Sequence, residues 1–123
     1  MRRIRITAGT VTATAELNDS ATAQAIWEAL PITASANTWG DEIYFAIPVR
    51  RDEEGARQVV SVGEIGYWPP GHAFCIFFGP TPVSRGNEIR AASPVNPIGR
   101  VIGDAAVFKK VNDGDPITLE RAE

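Results

Sequence analysis

Three stretches of the chain hold the side chains best suited to chemistry or to gripping a ligand. Tyr67-Trp68-Pro69-Pro70-Gly71-His72 is an aromatic, proline-stiffened loop. Rings with polar tips suit a ligand that is apolar on one side, and such a rigid turn suits a cis Trp68–Pro69 bond. His72 is the only histidine, and the only side chain type that titrates near neutrality without help. No Asp or Ser is paired with it by spacing, so no catalytic dyad is assigned. Asn37-Thr38-Trp39-Gly40-Asp41-Glu42 reads as a tight turn. Asp41 and Glu42 are adjacent, so on a strand they point to opposite faces and do not form a cooperating carboxylate pair. Gly79-Pro80-Thr81-Pro82-Val83-Ser84-Arg85-Gly86-Asn87 is a loop rich in hydroxyls and amides, and long loops on rigid scaffolds often bind. Its glycines are too sparse for a phosphate-binding fingerprint. Ser84 and Ser93 lack a nucleophile-elbow context. Asn96, between Val95 and Pro97, ties down a loop backbone or touches a ligand.

Composition removes several function classes. The 123 residues carry 12 basic and 15 acidic side chains, a net charge of −3. A sequence-independent nucleic-acid binder needs a basic stripe to displace counterions, so nucleic acid is not an expected partner. One Cys forbids an internal disulfide and fits a reducing compartment. With one Cys and one His the usual zinc cages are excluded; no metal and no cofactor is expected. The apolar run at 73–78 is far short of the roughly 18 residues of a membrane span, and no apolar block follows the basic N-terminus as in a secretory signal. A cytoplasmic protein without a membrane partner is the expectation. With 44% apolar residues the chain can fill one core, and residues 1–123 are read as a single domain.

The elements that must position these residues are mostly strands. Ile4 and Ile6 alternate with arginines, and Val11, Ala13, Ala15 and Leu17 alternate with polar residues. Both are half-buried strands, joined as a hairpin by Ala8-Gly9-Thr10. The arginines read as the solvated face of an edge strand. Asn18-Asp19-Ser20 caps a helix whose apolar face is Ala23, Ile26, Trp27 and Leu30, ended by Pro31. Residues 42–49 and 73–78 are apolar on both faces, hence covered strands, with Cys75 an inert buried thiol. Residues 50–57 read as an exposed loop, and Val59, Val60 and Val62 start a short strand. Residues 79–97, with prolines at 80, 82, 94 and 97, read as mostly loop, and 95–102 as a bent or bulged strand. Asp104 caps a short helix over 105–111, and Ile117 and Leu119 mark a last strand. The count of about eight strands and two helices favours a closed barrel, with a sandwich as the alternative.

Three blocks carry a family resemblance: Asn37-Thr38-Trp39-Gly40-Asp41-Glu42-Ile43-Tyr44-Phe45; Gly66-Tyr67-Trp68-Pro69-Pro70-Gly71; and Phe77-Phe78-Gly79-Pro80-Thr81-Pro82 leading to Ala92-Ser93-Pro94-Val95-Asn96-Pro97-Ile98-Gly99. With them the chain resembles a small prokaryotic family of cyclophilin-like proteins of unknown function. The resemblance implies a mainly β fold, a cyclophilin-like closed eight-stranded β-barrel with two short helices capping its ends. Cyclophilins proper are peptidyl-prolyl isomerases with a Phe-His-Arg-Val-Ile-Pro type strand. The local counterpart here is Tyr44-Phe45-Ala46-Ile47-Pro48, which puts Ala46 where the catalytic Arg belongs. Twisting a peptide bond faces a barrier of roughly 20 kcal/mol, and a guanidinium supplies the fixed donors that help lower it; a methyl group supplies none.

The expected function is therefore binding of a peptide or small apolar ligand without efficient catalysis, with no catalytic residue assigned. The expected ligand contacts are Trp39, Tyr44, Tyr67, Trp68, His72, Phe78, Thr81, Ser84 and Asn96. The alternatives are a prolyl isomerase whose donor is relocated to Arg50, Arg85, Arg90 or Arg100, and a structural homo-oligomer.

Overall fold

The computed structural model describes residues 2–122. Among them are ten strands: β1 (Arg3–Ala8), β2 (Val11–Leu17), β3 (Ile32–Ser35), β4 (Asn37–Thr38), β5 (Glu42–Ala46), β6 (Arg57–Val60), β7 (Glu64–Trp68), β8 (Ala73–Phe77), β9 (Ile89–Ile102) and β10 (Pro116–Arg121). All pairings are antiparallel, in the order β3-β10-β1-β2-β9-β7-β8-β5-β4, with β6 also on β9. The fold is mainly β. The closure expected from the sequence is not made by a ladder, because β3 and β4 stand at opposite ends of the hydrogen-bonded path. These two end strands are nonetheless consecutive in the chain. Ala36 joins them, donating its N–H to Asp115 O at 2.8 Å and accepting from Gly114 N at 2.8 Å.

Strand alternation builds the interior. Ile4 and Ile6 are fully buried while Arg3 and Arg5 are exposed. The arginines do not mark an edge as expected, since β1 lies between β10 and β2; they occupy the solvent-facing side of an inner strand. Ile43 and Phe45 from β5, Ile65 and Tyr67 from β7, Phe74 and Ile76 from β8 and Ile117 and Leu119 from β10 fill the same interior. Each such side chain contributes about 1.5–3 kcal/mol on burial.

One α-helix, α1 (Ala21–Ala29), covers part of this interior with Ala23 and Ile26. Ser20 caps it, its hydroxyl accepting from Ala23 N at 3.1 Å. Trp27 packs at the margin of the core, with the Arg121 guanidinium 4.6 Å from its ring centre. The second expected helix is a 3₁₀ helix, Ala105–Lys110, capped by Asp104 through a bond from Ala106 N; Phe108 buries its ring against Phe78.

Two expectations for the middle of the chain need correction. Tyr67 and Trp68 lie on a strand, β7, not in a loop, and only Pro69–Gly71 turns, as a single 3₁₀ turn. The cis peptide bond among the described residues is Leu30–Pro31, not Trp68–Pro69. Residues 89–94 are strand as well, because β9 runs fourteen residues. It tolerates Pro97 by shifting register, with Ile65 opposite Gly99 but Gly66 opposite Pro97. That skip is the bulge expected within 95–102, and it spares the ladder a donor that proline lacks.

Candidate functional site

The side chains that turn away from the interior on β5, β7, β8 and β9, together with β6, form a second apolar layer. Val60, Ala73, Cys75, Phe77, Ile89, Ala91 and Val95 are buried in it, with Tyr44 and Trp68 packed against them. Period two accounts for the division. On β8, Phe74 and Ile76 enter the interior while Ala73, Cys75 and Phe77 enter this layer. Gly66 on β7 has the same outward phase. A Cβ built there would stand 2.6 Å from Val95 Cγ2, so the absence of a side chain at 66 is what lets Val95 sit flat across β7.

Above this layer is a cavity of about 280 Å³. Trp39, Tyr44 and Trp68 provide aromatic walls, Ala91, Ala92 and Val95 aliphatic ones, and Glu42 a single carboxyl. Each wall is held by local structure. Trp39 and Glu42 exchange backbone bonds across a two-residue turn (2.9 and 3.2 Å). Gly40 takes its first central position at φ 60°, as a type II′ hairpin requires. The turn is pinned to the following loop by Asp41 N donating to Pro80 O at 2.9 Å. Trp68 donates its indole N–H to Ser93 Oγ at 2.6 Å, which satisfies its polar tip.

Glu42 is 6% exposed, and none of the ion pairs among the described residues includes it. Burial pushes its carboxyl up to about 7, and a hydrogen bond with Cys75 restrains the rise. Cys75 itself is driven well above the ordinary thiol range, first by burial and then by the Glu42 charge. The thiol therefore stays protonated and unreactive, whereas the carboxyl exchanges a proton near neutral pH. A strongly perturbed titratable group facing a cleft marks a candidate functional site.

Two other hollows are larger but are lined by charged, solvent-facing groups. One, about 430 Å³, runs along Glu16, Arg57, Glu64 and Arg100. The other, about 600 Å³, lies between Arg50, Glu53, Glu54, Pro70 and His72. Neither has an aromatic wall. No group of three or more His, Cys, Asp or Glu that could hold a metal ion occurs among the described residues, and no helix there is long and apolar enough to cross a membrane.

A family model described as Cyclophilin-like matches residues 2–120. The chain belongs to the Cyclophilin-like family. It is similar to the solution structure of a hypothetical protein from Archaeoglobus fulgidus, at 43% identity and a TM-score of 0.85, with 98% of this chain and 95% of that one covered. No curated protein matches it.

Within this Cyclophilin-like fold, the structure brings together three of the residues singled out from sequence: Trp39, Tyr44 and Trp68. The others lie apart from the cavity walls. Tyr67 is fully buried in the interior, its hydroxyl donating to Val49 O at 2.7 Å and accepting from Arg51 N at 3.2 Å. Phe78 packs on Phe108. Thr81 and Ser84 brace their own loop: Ser84 Oγ accepts from Thr81 N at 2.9 Å and Arg90 N at 3.0 Å, and Thr81 Oγ1 donates to Arg90 O. Asn96 is fully buried and donates to Thr22 Oγ1 and Asp52 O while accepting from Glu54 N. That locks the 50–57 loop to α1, where the Glu54 carboxylate accepts from Ala21 N and Thr22 N. His72 belongs to the hollow beside Arg50, at φ 49°, with its Nε2 3.3 Å from the Arg50 guanidinium and its buried Nδ1 unpartnered.

None of the arginines considered as relocated donors lines the cavity. Arg90 pairs with Glu88 at 2.6 Å, Arg100 with Glu16 at 3.5 Å, and Arg50 meets His72. Ala46 is exposed at the end of β5, in phase with Glu42 and Tyr44. Sequence reasoning missed Glu42, Ala91, Ala92 and Val95. Glu42 did leave a signal: a carboxylate two residues before Tyr44, in phase with it, on a strand otherwise apolar on both faces.

Proposed function

We propose that this Cyclophilin-like chain is a binding domain that takes a small, largely apolar group into the cavity beside Trp39, Tyr44 and Trp68, without efficient prolyl isomerisation. We also read the sheet as a barrel closed by the covalent step from β3 to β4 around one shared interior. The observation that carries the functional proposal is the cavity itself: three aromatic side chains face one apolar space that no guanidinium enters. Its volume is near the low end of the roughly 300–1,000 Å³ range of ligand sites. Apolar walls with one polar group are the usual recipe for orienting a small ligand. An isomerase needs a fixed donor aimed at the twisting prolyl nitrogen, and the wall residues offer no charged one.

Two measurements test the proposal. Titration of the protein with a library of small molecules and short peptides is expected to shift the Trp39 and Trp68 indole N–H signals in NMR; a library that moves neither rejects it. A protease-coupled proline-peptide assay at micromolar protein is expected to show a rate close to the uncatalysed one, and strong acceleration would restore the isomerase alternative.

A further inference from the structure

We propose that the group bound in this cavity is a compact alkylammonium head group of a small molecule, held between the Trp39, Tyr44 and Trp68 rings and paired with the Glu42 carboxylate. This rests on the binding reading above and narrows it to a ligand class. Three features of the cavity support it together. Glu42, a residue only 6% exposed, lines this apolar space, and no Lys, Arg or His lines it to neutralise the carboxyl. Three aromatic side chains share the same walls, and ring faces attract cations, alkylated ammonium ions above all. The indole N–H of Trp68 is already engaged by Ser93, so that side chain offers its ring rather than a donor. A neutral apolar ligand would leave the carboxyl to be neutralised by a proton, so that its charge would add nothing to affinity. An anion would be repelled. An ammonium ion supplies the missing charge and is desolvated against rings that replace part of its hydration. The small volume of about 280 Å³ suits a free head group of a few carbons.

Binding of such a cation must compete with a proton for Glu42. The groups facing that carboxyl are few. β8 presents Cys75, whose thiol stays protonated, and β5 presents Tyr44; β7 and β9 contribute Trp68, Ala91, Ala92 and Val95, none of which titrates. With the carboxyl at about 7, affinity for a permanent cation rises with pH and levels off above neutrality. The change between pH 5.5 and 8.5 is roughly 30-fold by proton linkage.

The test is calorimetric and NMR titration of the intact chain at pH 5.5, 7 and 8.5. The probes are tetramethylammonium chloride, the uncharged 3,3-dimethyl-1-butanol, and a pentapeptide carrying trimethyl-lysine. Expected is tetramethylammonium binding that shifts the Trp39 and Trp68 indole signals and strengthens with pH, while the alcohol binds more weakly and without that trend. Glu42→Gln is expected to abolish the pH dependence and the preference for the cation. Trp39→Leu is expected to weaken the cation more than the alcohol. Binding of the alcohol alone, or cation binding unchanged in Glu42→Gln, overturns the ammonium assignment and leaves the cavity reading standing. Tighter binding of the peptide than of tetramethylammonium overturns the small-molecule source. Failure of all three probes, together with a silent library titration, overturns both.

Discussion

The interior and the second apolar layer share strands β5, β7, β8 and β9, yet they treat polar groups in opposite ways. Tyr67 points inward and its hydroxyl has two partners, Val49 O and Arg51 N. Asn96, equally buried, has every bond directed to a loop or to α1. On the other face of β5, Glu42 is buried without a cationic partner and looks into open space. A core that serves only stability satisfies what it buries, because an unpaired buried group costs about 1–3 kcal/mol, and more when charged. The layer that leaves a carboxyl without a cationic partner is the one we propose a ligand completes.

Substitutions at paired positions sharpen this contrast. The largest effect is expected from Phe74→Ala in the interior, where Phe74 stacks on Phe45 at 5.3 Å between ring centres. It should cost about 3–5 kcal/mol in chemical denaturation and leave the Glu42 titration in place.

Glu42→Gln should act with the opposite sign. The folded carboxyl titrates at about 7 against an ordinary 4.5. Between those values the folded chain holds more protons than the unfolded one. The Glu42 contribution to stability is therefore full below about pH 4.5, is lost as pH rises to about 7, and is absent above. The decline is on the order of 3 kcal/mol, because each pH step between the two values is worth about 1.4 kcal/mol. The stability of Glu42→Gln relative to the native chain, read from denaturant midpoints, should thus be higher at pH 8 than at pH 4, with a net gain at pH 8. A loss of stability at pH 8 would show that the carboxylate is paired after all.

Gly66→Ala sets the two layers against each other. The added methyl meets Val95 at 2.6 Å, so Val95 must move toward the cavity. A cost of about 1–3 kcal/mol, together with loss of any ligand-induced indole shift, is the expected pair of results.

The smallest contrast is between two tyrosines. Tyr67→Phe strands a buried carbonyl and a backbone N–H, costing about 1–2 kcal/mol, whereas Tyr44→Phe at the cavity wall should stay within about 0.5 kcal/mol. Equal costs in thermal unfolding would erase the distinction between core and site.

Much of the scaffold was legible in the sequence because its signals are local. The alternation of Ile4 and Ile6 and of Val11 to Leu17 marked β1 and β2, and Ser20 and Pro31 bracketed α1. β7 was obscured because Gly66 breaks the alternation and Pro69-Pro70 follows at once. The first half of β9 was obscured because its neighbouring prolines resemble loop. Three cavity walls were legible because Trp39 and Trp68 stand in loop-like segments and Tyr44 brings a polar-tipped ring to a strand close by. Glu42 escaped because its meaning depends on Cys75, Trp68 and Val95, which only the pairing of β5 with β8, β8 with β7 and β7 with β9 brings to one face. Tyr67, Phe78 and Asn96 were chosen as site residues by type. Their strand phase and loop partners, invisible in a linear reading, put them to structural use.

The proposed binding site stands or falls with the state of one carboxyl. Following the Glu42 side-chain carboxyl carbon by ¹³C NMR from pH 3 to 9 measures it directly. The predicted midpoint is near 7, moving downward when tetramethylammonium is added. A midpoint near 4.5, unmoved by the cation, would place that carboxyl in water and contradict the proposed pairing of Glu42 with a cation.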